Sequence, residues 1–149
     1  MSLRSLLPLL MCLVLLRADE QSMYDFSVTD IDGKEVDMHR YRYCAICKRL
    51  RASFVSGKEP GTDAQIKEHV QSAYNVTFDL FHKVDVNGDD AIPLYNYLTS
   101  KKRSPFFIRR IEWNFVKFLV DRSGIPYDRY APTTSPNDML ADILALLGQ

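Results

Sequence analysis

The sequence predicts one mixed α/β domain over residues 19–149, behind a short apolar leader at 1–18. Three observations predict it. Residues 24–38 and 111–130 carry the period-two alternation of strands. Residues 62–75 and 135–147 carry helical patterning behind capping residues. The 149-residue chain is 46% hydrophobic and 11% aromatic, enough for a buried core and against global disorder.

The leader comes first. Arg4 gives a positive head, and Leu6 to Leu16 is an apolar run too short to cross a bilayer comfortably. Ala18 is a small residue at a possible cleavage point, with acids following at once. This is the pattern of a secretory signal peptide. An uncleaved membrane anchor is the alternative, because Leu16 is a mediocre residue two positions before Ala18. No other stretch is apolar enough to span, so no membrane contact is expected beyond the leader. Cleavage would remove Cys12 and leave Cys44 and Cys47 in an oxidising compartment. Asn75, Val76 and Thr77 form an N-glycosylation sequon, which fits a secreted, extracellular protein.

Tyr24, Phe26 and Val28 alternate with Asp25, Ser27 and Thr29. Asp30–Gly33 supplies a turn, and Val36 and Met38 resume the alternation, which predicts a hairpin. Residues 43–57 show no clear periodicity. Thr62 is expected to cap a helix, with Gln65 completing a capping box. Ile66, Val70 and Ala73 or Tyr74 share one face of it, and Asn75 stops it. Phe78, Leu80, Val84 and Val86 suit a short extended piece, interrupted by His82. A short helical segment follows Pro93.

Residues 111–121 form the strongest predicted strand. Ile111, Trp113, Phe115 and Leu119 on one side, and Val116, Phe118 and Val120 on the other, predict burial on both faces. Asp121–Gly124 turns into a second strand, confined to an edge by Pro126. Ser135 caps the last helix, Pro136 fits its first position and Asp138 suits its positive end. Met139, Leu140, Ile143, Leu144 and Leu147 form its apolar stripe.

With 19 basic and 19 acidic side chains the net charge is zero, so no global field favours nucleic acid. Asp85, Asn87 and Asp89 match the first ligand positions of a calcium loop. The glycine position holds Asp90 and the closing glutamate position holds Asn96, so this is an acidic turn and no metal is expected. Cys44 and Cys47 are a single Cys-x-x-Cys pair. Structural zinc wants four ligands, and only His39 lies near. A catalytic dithiol wants its first cysteine at a helix N-terminus, and this pair follows a strand-like piece. The pair is read as a passive disulfide or as incidental, with catalysis aided by Lys48, Arg49 and Arg51 as the alternative. Lys101, Lys102, Arg103, Arg109 and Arg110 flank Phe106 and Phe107. They are read as a solvated loop, the alternative being a patch for an anionic ligand or membrane surface. Trp113 and Asn114 are an awkward pair for a buried strand, where asparagine is depleted and its amide must find partners.

"WNFVKFLVDRSG" followed by "DRYAPTTSP" resembles the C-terminal signature of the glutathione peroxidase family. "YDFSVTDIDGKEV", "EPGTDAQIKEHV", "YNVTFDLFHKVDVNGDDAIPLYNYL" and the final helix are similar to that family too, in the right order. The resemblance implies a thioredoxin-like fold of the glutathione peroxidase type. It implies reduction of hydrogen peroxide or organic hydroperoxides, with glutathione or another thiol as co-substrate and no cofactor. A selenocysteine or cysteine attacks the peroxide, steadied by a Gln, a Trp and an adjoining Asn. Trp113 and Asn114 would be that Trp and Asn, donors to a thiolate or selenolate.

The resemblance also implies a gap. The family's nucleophile segment, resembling "VNVASxCG", and its glutamine segment, resembling "FPCNQFG", have no counterpart here. The expected deletion falls between about 43 and 57 and removes the central strands and the first helix. Neither Cys44 nor Cys47 matches the nucleophile. The fold is therefore expected to be incomplete and peroxidase activity weak or absent. A peroxidase using Cys44 and Cys47 as a substitute dithiol is one alternative. A non-enzymatic secreted binding protein is another.

Overall fold

The structure is a computed structural model that describes residues 21–42, 61–104 and 107–148. The chain order is β1 (Ser27–Thr29), β2 (Glu35–Asp37), α1 (Asp63–Tyr74), α2 (Pro93–Lys101), β3 (Lys117–Val120), β4 (Pro126–Tyr130) and α3 (Leu140–Leu147). Short 3-10 turns at Met23–Asp25, Met38–Tyr41 and Asn137–Met139 lead into or out of these elements.

β1 and β2 pair antiparallel, with Val28 opposite Val36. Asp30 builds their turn. Its carboxylate accepts from the backbone N–H groups of Asp32 (2.9 Å) and Lys34 (2.8 Å), and Gly33 takes the positive φ of 81°. The predicted hairpin is present but shorter than its alternation implied. Ser22 and Asp25 form a capping box that coils Tyr24 into a 3-10 turn, and Asp37 caps another that takes Met38 out of β2. The piece at 80–82 lies along the other edge of β1. Ile31 N–H donates to Leu80 O at 3.0 Å and His82 N–H to Thr29 O at 3.0 Å. Its inward residue is Phe81, at 3% exposure, rather than Phe78 or Leu80.

α1 starts and stops as its sequence predicts. Thr62 Oγ1 accepts from Gln65 N–H at 3.3 Å, Gln65 Oε1 accepts from Thr62 N–H at 2.8 Å, and Asn75 closes the helix in the left-handed region. Of its expected apolar face only Ile66 is buried, and Tyr74 is 71% exposed.

α2 holds the core. Leu94, Tyr97 and Leu98 pack with Tyr24, Val28, Val36, Met38 and Phe81. Tyr95 packs with Val86 and Ile111. The turn between β3 and β4 closes onto this core. Met23 N–H donates to Gly124 O at 2.8 Å and Tyr97 Oη to the same carbonyl at 3.3 Å. Gly124 sits at φ 82°, and a Cβ there would lie 2.6 Å from the Tyr24 ring. Both the backbone angle and the space therefore require glycine.

The strongest predicted strand is corrected. Its regular part is only Lys117–Val120, and only Leu119 within it is buried. Phe115 adopts φ 63°, which breaks the extended run before β3 begins. Leu119 is buried, Phe118 and Val120 on the opposite face are half-buried, and Trp113 and Phe115 are exposed, so the expected burial on both faces is not achieved; among the described residues β3 pairs only with β4. Ser135 and Asp138 exchange reciprocal hydrogen bonds at 3.3 and 2.9 Å, but the expected cap is displaced: the turn that follows is 3-10, starts at Asn137 and has Pro136 rather than Ser135 at its cap. Of the last helix's stripe, Met139 is buried while Leu140 is 51% exposed, and no residue of α3 itself is fully buried.

Candidate functional site

Trp113 and Asn114 stand in the turn just before β3, not within a buried strand as their flanking residues imply. Trp113 is 54% exposed, Asn114 is half-buried, and Phe115 beyond them is 62% exposed. The segment leading into them, 108–112, has no helix or strand of its own. Side chains hold it instead. Asn87 clamps Ile111 from both sides, its amide donating to Ile111 O at 3.0 Å and its carbonyl accepting from Ile111 N–H at 2.8 Å. Asn87 is thus committed to this clamp, in the acidic turn whose calcium pattern the sequence had failed to complete. From β4, Arg129 donates to the carbonyls of Ile108, Arg109 and Arg110 and to the Glu112 carboxylate.

Glu112 is the partly exposed member of that ion pair. Burial opposes its charged form, but the surrounding donors, Arg129 among them, outweigh burial and hold it below the usual carboxylate range. Arg109 and Arg110 lend carbonyls to Arg129 while their side chains lie exposed.

The structure brings Trp113 and Asn114 together as neighbours in one turn. Cys44 and Cys47 lie outside the described residues. Asn75, the expected glycosylation site, is exposed at the end of α1, as is Thr77. Among the described residues no group of three or more His, Cys, Asp or Glu side chains could hold a metal. A cleft of about 240 Å³ near the β1–β2 turn does not include Trp113. Among its lining residues Lys67 pairs with Asp32 at 2.6 Å, and Tyr41 Oη donates to Asp79 at 2.5 Å.

Arg129 and Asn87 were missed as anchors of this turn. A period-two reading from buried Pro126 turns Arg129 outward. The register shift between Leu119 and Val120 leaves Tyr127 as an extra residue in β4 and changes the phase, so Pro126 and Arg129 both face inward.

The glutathione peroxidase family model matches residues 51–99. A glutathione peroxidase of Schistosoma mansoni is 39% identical over 158 aligned positions, covering 85% of this chain and 93% of the relative. Since 85% of 149 residues is about 127, about thirty of those positions face no residue of this chain. The crystal structure of Trgpx in apo form superposes with a TM-score of 0.69 at 28% identity, covering 88% of this chain and 98% of that one. T. cruzi GPX1 superposes with a TM-score of 0.63 at 26% identity, covering 86% and 97%. The fold is therefore the thioredoxin-like one of these solved peroxidases.

Proposed function

Since this chain belongs to the glutathione peroxidase family, we propose that it is a secreted member whose peroxidase activity is weak or absent. In the family's chemistry a thiolate or selenolate takes one oxygen from the peroxide, releasing water or an alcohol. It becomes a sulfenic or selenenic acid. Two thiols, usually glutathione, then reduce it, leaving as a disulfide with one water. Trp113 and Asn114 supply the donors that would steady the anion before attack.

The observation that carries the reading is their surroundings. Trp113 is 54% exposed in the turn before β3, so its indole is open to water rather than enclosed around an anion. The unmatched positions in the Schistosoma alignment support the same reading, as does the missing glutamine segment. The leader at 1–18 and the exposed sequon at Asn75 support secretion with a glycan on Asn75.

The test is turnover by purified residues 19–149, with hydrogen peroxide or an organic hydroperoxide and glutathione. The expected rate is close to the uncatalysed one and unchanged by Trp113→Phe. Thiol-dependent turnover that vanishes in Cys44→Ser or Cys47→Ser would overturn impairment and establish a substitute dithiol.

A further inference from the structure

Arg129 lies outside the donor pair assigned to the peroxide chemistry, yet its hydrogen bonds run mainly to the segment that leads into that pair. It is the buried charged residue among those described, with its side chain 3% exposed. Nη1 donates to the carbonyls of Ile108 and Arg109, each at 3.3 Å. Nη2 donates to the carbonyl of Arg110 at 2.8 Å and to the Glu112 carboxylate at 2.6 Å. The guanidinium carbon also lies 5.5 Å from the ring centre of Phe118, its cross-strand neighbour on β3.

A buried guanidinium without acceptors is strongly disfavoured, so Arg129 and its loop are fixed together. Its planar fork suits four acceptors drawn from one short run of chain. A lysine ammonium is a point donor and cannot satisfy them in the same plane. Trp113 follows Glu112 directly, so whatever fixes residues 108–112 also fixes where the indole and the Asn114 amide begin.

We propose that Arg129 is a positioning residue, which orients Trp113 and Asn114 by holding residues 108–112 against β4. The proposal rests on the reading of Trp113 and Asn114 as peroxidase donors, but its test needs no turnover. Trp113 is the one tryptophan of the chain, so intrinsic indole fluorescence reports this turn alone.

In the full chain, Arg129→Lys keeps the charge and loses the fork. The expected result is an unchanged far-UV circular dichroism spectrum with a red-shifted emission maximum. The acrylamide quenching constant should rise by up to about twofold, the ceiling for a side chain already 54% exposed. Tyr97→Phe, which removes a hydrogen bond elsewhere in the core, should leave both readings in place. Unmoved fluorescence in folded Arg129→Lys overturns the proposal. If that variant does not fold, Glu112→Gln decides, since it weakens one arm of the clamp. A shift in the same direction supports the proposal and no shift overturns it. Peroxide turnover measured on the same samples tests the peroxidase reading separately.

Discussion

Glu112 is where the candidate turn becomes sensitive to acid. Its bond to Arg129, at 2.6 Å, joins a partly exposed carboxylate to a buried guanidinium. Burial works against the charged carboxylate, but the donors around it prevail and its folded pKa is lowered. A lowered folded pKa means that the unfolded chain binds the proton more readily. The contribution is therefore fully present above the unfolded value of about 4.3 and is lost as pH falls through the folded one. Because the carboxylate is solvent-accessible, the effect is modest. Glu112→Gln removes the titrating group but keeps its size. The thermal midpoint of the parent should exceed that of Glu112→Gln at about pH 6, and the gap should narrow towards about pH 3. Parallel midpoint curves across that range would show that the pair adds no pH-dependent stability.

Helix α1 shows what local chemistry can specify when packing gives little help. Its capping box and left-handed stop at Asn75 are present as the residues dictate, although only Ile66 is buried along its length. With so little tertiary support, the cap should carry an unusual share of the helix's stability. Thr62→Ala should cost about 1 kcal/mol and speed amide exchange in the first turn of α1 while leaving α2 protected. Equal exchange in both proteins would count against this. The same contrast explains what could be read in the sequence. Caps and turns are local, so Thr62, Gly33 and Asp121–Gly124 were legible. The limits of β3 were not, because they depend on the left-handed Phe115 and on which strands lie alongside. Arg129 was hidden for a third reason: one extra residue in β4 reverses the inward phase, and period-two patterning carries no signal for that. Trp113 and Asn114 stood out as an awkward pair for a buried strand and took their expected role from family resemblance alone, whereas their exposed turn became visible only in the fold.

At the scale of the whole molecule, two parts of the chain differ in how well they are closed. Around α2, side chains from both hairpins meet, and Met38, Leu94 and Ile111 are each at most 2% exposed. Around β3 and α3, the strongest apolar patterns remain half open: Phe118, Ile143, Leu144 and Leu147 are only partly buried and Leu140 is 51% exposed. Each aliphatic side chain left in water forgoes about 1.5–3 kcal/mol, against a usual net stability of about 5–15 kcal/mol. A few such residues are enough to remove the margin. We therefore expect purified residues 19–149 to bind a hydrophobic dye such as ANS under native conditions and to unfold over a broad, weakly cooperative range. Calorimetry should give a heat-capacity change per residue well below the about 12–15 cal/mol/K typical of globular domains. The cause can be tested by restoring the stretch that the family resemblance implies is shortened. Replacing residues 43–57 with the corresponding longer stretch of a relative should abolish dye binding and sharpen the transition, because added apolar chain would cover the half-open side chains around β3 and α3. A cooperative transition with a full heat-capacity change in the unmodified chain would show instead that the short form closes its own core.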